Sequence, residues 1–186
     1  MKTLKINKEF SELIPHLQPE EYILLEESIQ KEGCRDPIFI WNDTIIDGYN
    51  RYQICKKHKI EYKTKEIKFK DNNEAKIWII NNQLARRNLS AYAKVELNLI
   101  LEDILSPGQG YRSDLEPLSN LTKVNTSKEI AKQSKVAEGT VHKVKFIRDN
   151  ADEETKEKLR EGNKELSINK VYSTLFKFFK PLKLLR

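Results

Sequence analysis

The stretches of this chain that read as strands all lie before residue 70, and apolar residues after that point recur only at helical spacing. A period of two gives strands whose side chains alternate between faces, whereas a period near 3.6 gives a helical stripe. The chain must therefore join a small mixed module to an all-helical one, and an α+β class follows. The best break lies within 106–125, which holds Pro107, Gly108, Gly110 and Pro117. The sequence divides into a mixed domain over 1–90, a connecting helix and linker over 91–125, and a helical domain with a helical tail over 126–186.

Local signals place the elements. Leu4 and Ile6 alternate as a short strand. Pro19, Glu20 and Glu21 suit the first turn of a helix, Tyr22, Leu25 and Ile29 share its apolar face, and Gly33 suits its exit. Two apolar runs, Pro37 to Trp41 and Thr44 to Ile46, flank Asn42-Asp43, a pair suited to a two-residue hairpin turn. The second run enters Asp47-Gly48-Tyr49-Asn50-Arg51 and a helix to about Lys59, with Tyr52 and Cys55 on one face. Tyr62 to Phe69 reads as another strand, and Asp71 to Glu74 as a capping box that opens a helix ending near Asn81. A polar, basic segment from Asn81 to Ser90 follows. A helix from Ala91 to Leu105 then carries a stripe of Leu97, Ile100, Leu101, Ile104 and Leu105.

Composition excludes several classes. Of 186 residues, 38% are hydrophobic and 33% charged, enough apolar material for a core. No run reaches the roughly 18 apolar residues of a membrane helix, and the first residues lack a secretory signal. A cytoplasmic protein without a membrane partner is expected. Cys34 and Cys55 form no CxxC pair and are accompanied by three histidines, which predicts reduced thiols and no metal site. Charge is uneven. Residues 1–90 hold 16 Lys/Arg against 14 Asp/Glu, residues 91–125 hold 3 against 5, and residues 126–186 hold 15 against 9. A basic excess confined to one module suits a phosphate-binding surface.

Within that basic third, Thr126-Ser127-Lys128-Glu129 is a second capping box, leading into Ile130 to Val141. Ala131 is small where two helices must cross closely, and Ile130, Val136 and Val141 supply apolar contacts at the spacing of a helix-turn-helix. Such a motif lays its second helix in the major groove of double-stranded DNA. Glu138, Thr140, His142 and Lys143 would then face base edges, with Lys132, Lys135, Lys145 and Arg148 as candidates for phosphates. Glu138 suits either a cytosine amino group or the helix dipole. Lys135 stands where such turns commonly have glycine, at a cost near 1 kcal/mol if its φ is positive. Ala137 stands where a Ser or Thr cap is usual. A last helix starts at Ser167, and Leu175, Phe178 and Phe179 are expected to pack on the module, with dimerisation as the next use of this basic, apolar tail and contact with DNA or a membrane surface as the last.

The order of these motifs, from Ile14-Pro15 through the hairpin, Gly48-Tyr49-Asn50-Arg51, the Gln83 to Leu89 segment and the helix-turn-helix, resembles the ParB proteins, whose N-terminal domain is shared with sulfiredoxins. The likeness covers roughly residues 3–170. It implies a DNA-binding homodimer, associated with the nucleoid or a plasmid, that serves plasmid or chromosome partition with a partition ATPase, or regulates a mobile element. It also implies a site for CTP with Mg2+. Gly48, Tyr49, Asn50 and Arg51 match the family's Gly-Glu-Arg-Arg stretch, and Asn82, Gln83, Arg86 and Arg87 fall in its second motif. A glycine before a helix start lets backbone amides and a positive dipole end meet an anion, and Arg51 adds a charged fork. Tyr49 replaces the glutamate associated with hydrolysis, and Asn50 replaces an arginine. The alternative, a nucleoside triphosphatase or nuclease, lacks the acid it needs at Tyr49 and has only Asp47 beside the site. Sulfiredoxin chemistry needs a cysteine and a histidine where Tyr49 and Asn50 stand.

Overall fold

The computed structural model describes residues 3–86, 88–105 and 127–179. The chain divides into two compact units, Met1–Ala85 and Arg86–Arg186. The first unit runs α1 (Lys8–Ser11), α2 (Pro19–Glu32), β1 (Ile38–Trp41), β2 (Thr44–Asp47), α3 (Tyr49–His58), β3 (Thr64–Glu66) and α4 (Asn72–Leu84). Its sheet has the order β2-β1-β3, with β1 antiparallel to β2 and parallel to β3. Asn42 (φ 48°) and Asp43 (φ 62°) both take the left-handed conformation, which gives the turn the twist that antiparallel strands need.

Two expected strands are shorter than the sequence suggests. Leu4 to Ile6 contributes a single bridge, Lys5 to Thr44, secured by Lys5 N–H to the Asp43 carbonyl at 2.8 Å. Of Tyr62 to Phe69 only Thr64–Glu66 pair, along one edge of β1, and all three are exposed. Phe69 is instead used in packing. Ile38, Ile40 and Ile45 cluster with Leu4 and Tyr52. The alternate residues of β1 join a chain of aromatic contacts, Phe10–Trp41–Phe69–Trp78–Phe39, with centroids 5.7 to 6.3 Å apart. Both sides of β1, the central strand, are thus packed.

The stripe on α2 behaves as its spacing predicts: Tyr22, Leu25 and Ile29 pack with Ile54 and Cys55 of α3. Gln18 and Glu21 form the capping box of α2, and Gly33 ends it at φ 76°. Glu26 accepts from Lys57 at 2.8 Å and from His58 at 2.6 Å, joining α2 to the end of α3. Both cysteines are free thiols. Burial, then a hydrogen bond with Cys34, pushes the Cys55 thiol up to about 12.

The second unit holds α5 (Ala91–Leu105), α6 (Ser127–Ser134), α7 (Glu138–Asn150), α8 (Glu153–Arg160) and α9 (Ile168–Phe179). The helix expected to connect the two domains belongs to this unit. Tyr92, Val95 and Leu99 of α5 enter one core with Ile130, Ala131, Val141, Val144, Ile147, Leu159 and Val171. The reason is that α5 is apolar well beyond one stripe, and eight of its residues are buried. Two polar contacts fix it further. Asn98 donates to Ser134 Oγ at 3.0 Å, and Glu96 accepts two hydrogen bonds from Arg160, at 2.7 and 2.9 Å. On α9, Leu175 packs against the core and Phe179 meets Phe146 at 6.2 Å, whereas Phe178 is 71% exposed. The proposed linker, the Thr126 cap and the last seven residues lie outside the described residues. Among the described residues no helix is long and apolar enough to cross a membrane.

Candidate functional site

Two groups of predicted site residues are on view, one in each unit. In the first, β2 runs into Gly48, which takes φ 91° and caps α3 with no side-chain hydrogen bond. No acidic residue occupies the first turn of α3, the end where a helix presents its backbone amides and the positive end of its dipole. An alanine Cβ at position 48 would lie 2.8 Å from Arg51 Nη2. The missing side chain is therefore what lets the guanidinium fold back over the turn. Arg51 Nη2 donates to the Pro37 carbonyl at 3.1 Å and to Asp47 Oδ2 at 3.3 Å. Asp47 is itself buried. The carboxylate that the sequence offered as a lone acid is thus the anchor of Arg51, and its signal was the spacing of four residues.

Arg51 Nε is buried and has no hydrogen-bond partner. Gln83 is the other such case in this unit: it is fully buried, and neither its amide nitrogen nor its oxygen has a partner. Leaving a buried polar group unpaired costs about 1 to 3 kcal/mol. Among the described residues of this unit, Arg51 and Gln83, both named by the resemblance, carry these orphaned atoms. Gln83 lies in α4, which extends to Leu84 rather than ending near Asn81, because Ile79, Ile80 and Gln83 continue its buried face. Helix α4 packs on β2, the strand that delivers Gly48. Tyr49 and Asn50 are half-buried on the first turn of α3, with Tyr49 against the cluster around Tyr52. Asn82 is half-buried on α4. Arg86 falls in the other unit, and Arg87 lies outside the described residues.

In the second unit, α6 and α7 are joined by a three-residue turn. Lys135 has φ 57°, and Val136 N–H returns to the Ala131 carbonyl at 2.9 Å. Ala131 is buried, as close helix crossing requires, and Ala137 begins α7 without a side-chain cap. The eight residues assigned to DNA separate into two sets. Lys132, Lys135, Glu138 and His142 are exposed and Thr140 is half-buried, all along the turn and the start of α7. Neither Lys132 nor Lys135 has an ion-pair partner among the described residues. The other three are engaged inside the unit. Lys143 Nζ donates to Asn169 at 2.7 Å and lies 5.9 Å from the Tyr172 ring centroid. Lys145 pairs with Glu102 at 3.5 Å, and Arg148 with Asp103 at 3.0 Å. Sequence reasoning found the cations but could not see that α5 supplies the counter-ions of Lys145 and Arg148, and α9 the partner of Lys143.

No protein-family model and no curated protein matches the sequence. Solved structures do. A Pnob8-like ParB-N domain superposes with a TM-score of 0.58 at 17% identity, over 98% of this chain and 79% of that one. A second structure of the pNOB8-like ParB N-domain gives 0.55 at 19%, over 98% and 74%. The C-terminally truncated chromosome-partitioning protein ParB from Caulobacter crescentus, complexed with CTP-γ-S, gives only 0.36 at 16%, over 91% and 86%, too loose to support detail. The fold of this chain is that of the pNOB8-like ParB N-domains, as the order of its motifs predicts.

Proposed function

We propose that this chain is a ParB-like DNA-binding protein acting in plasmid or chromosome partition. Its helical unit would grip double-stranded DNA along the α6–turn–α7 edge. The observation that carries this reading is the turn itself. A strained left-handed lysine, with a second lysine one turn earlier on α6, stands beside an uncapped helix start that exposes Glu138 and His142. Lys132 and Lys135 supply phosphate contacts, which set affinity and salt dependence. Glu138, Thr140 and His142 are placed to read base edges.

The first unit is read as a nucleotide site. Gly48 opens the backbone, the first amides of α3 receive phosphate oxygens, and Arg51 Nε and the Gln83 amide gain partners they otherwise lack. CTP with Mg2+ is the nucleotide the family resemblance implies, and the phosphates would draw on these residues of the first unit. Bound there, the nucleotide supplies binding energy that can favour closure of a homodimer. The reading assigns binding rather than hydrolysis, because Tyr49 stands in for the family's glutamate and Asp47 is committed to Arg51. A partition ATPase is the protein partner this reading expects.

The deciding experiment is fluorescence anisotropy with labelled genomic duplex fragments over a salt series, for the wild type and for Lys132→Ala/Lys135→Ala. The double variant should bind more weakly, with a salt slope shallower by about two counter-ions. An unchanged slope would remove the turn from the DNA interface. Calorimetry with CTP, ATP and GTP tests the other unit: Arg51→Ala should lose nucleotide binding and keep duplex binding.

A further inference from the structure

The second unit binds two of its own cations to two of its own acids. Lys145 and Arg148 lie one turn apart on α7, and their partners Glu102 and Asp103 are neighbours near the end of α5. The geometry is fixed from below. Tyr92, Val95 and Leu99 of α5 share a core with Val141, Val144 and Ile147 of α7, so the two helices cannot drift apart while the unit is folded. Glu102 is the more enclosed acid, with its side chain 18% exposed, and Lys145 is 36% exposed. Arg148 also has Asp149 at 3.4 Å, so three carboxylates face two cations. The local balance at this end of α7 is negative, whereas Lys132 and Lys135 at the turn end have no ion-pair partner among the described residues.

We infer that Glu102 and Asp103 are specificity determinants for duplex DNA, because they withhold Lys145 and Arg148 from phosphates. This rests on the DNA-binding reading above. A cation already paired releases no net counter-ion when it nears a phosphate, so it adds nothing to the sequence-independent part of affinity. Lowering that part leaves a larger share of the binding to Glu138, Thr140 and His142, which can read sequence. An acidic pair that holds back two charges thus raises the ratio of specific to non-specific binding, the quantity that matters among many competing sites.

The test is a cycle measured by anisotropy on a random-sequence duplex, using the full chain. Glu102→Gln/Asp103→Asn keeps shape and removes charge. It should tighten random-duplex binding by about tenfold at low salt, and steepen the slope of log K against log salt by up to about two. Adding Lys145→Ala/Arg148→Ala to the charge-neutralised background should abolish the gain. Circular dichroism checks that each variant is folded. Should the neutralised variant fail to fold, Glu102→Gln alone serves in its place: random-duplex binding tightened by about threefold at low salt supports the inference, and unchanged or weaker binding overturns it. Wild-type binding with no change, or a weakening, on neutralising the acids sinks this inference alone and leaves the DNA reading standing. If neither the wild type nor the neutralised variant binds any duplex, the DNA reading fails and this one with it. Binding only by the neutralised variant supports the withholding.

Discussion

Arg51 in the first unit and Arg160 in the second are both largely enclosed, with side chains 20% and 23% exposed, but their surroundings differ. Arg160 reaches Glu96 through two nitrogens, at 2.7 and 2.9 Å, and its third meets Glu157 at 3.0 Å and Glu153 at 3.3 Å. Its acids, Glu96 above all, hold the guanidinium charged more firmly than usual. Arg51 uses one nitrogen for Asp47 and Pro37 and leaves Nε buried without a partner. A saturated guanidinium has nothing left to offer a ligand and serves the architecture. An unsaturated one, over a glycine at a helix start, has an unmet demand that a phosphate answers. The same residue type is thus a rivet in one unit and a candidate ligand contact in the other.

That contrast can be broken in order of effect. The largest should come from Glu96→Ala, which removes two of the Arg160 hydrogen bonds, leaving Glu157 and Glu153 on Nη1, and removes the acceptor of the Tyr92 hydroxyl. Losing charge-assisted hydrogen bonds at an enclosed site costs about 2 to 3 kcal/mol. For a unit of this size that lowers Tm by roughly 8 °C or more in a thermal melt. A shift of a degree or two would mean that Arg160 is no rivet. Next is Gly48→Ala, where the new Cβ both strains a backbone at φ 91° and pushes on Arg51. It should cost about 1 to 2 kcal/mol and reduce nucleotide affinity at least about tenfold by calorimetry. Retained affinity would place the nucleotide elsewhere. Lys135→Gly should stabilise the second unit by about 1 kcal/mol, since glycine tolerates φ 57°, while the DNA salt slope falls by about one. A more stable protein with an unchanged slope would leave Lys135 a turn former only. No loss of stability is expected for Gln83→Leu. Replacing an unpaired buried amide by a similar apolar volume removes its desolvation penalty, about 1 kcal/mol or more. Its mark should be lost nucleotide binding, and a destabilisation above about 2 kcal/mol would show that Gln83 has a structural partner instead.

The hairpin was legible because Asn42-Asp43 specifies its own turn, and α2 because proline, acids and glycine punctuate it. The left-handed turn before α7 was legible too, although a lysine fills it. Less was visible where partners are distant in sequence. Thr64–Glu66 is a strand because β1 offers it an edge, not because its residues alternate. The extra turn of α4 depends on what buries Gln83.

By itself the sequence determined the class of each module, the order of motifs that matches the pNOB8-like ParB N-domain fold, and the residue types gathered at Gly48 to Arg51 and along the turn. Those are local matters of periodicity, backbone freedom and charge count. Only the tertiary structure decided that α5 belongs to the helical unit, that Asp47 secures Arg51, and that Glu102 and Asp103 occupy Lys145 and Arg148. Whether a charge is free or spent depends on what lies within about 4 Å of it, and a contact across 43 or 45 positions is set by packing rather than by neighbouring sequence.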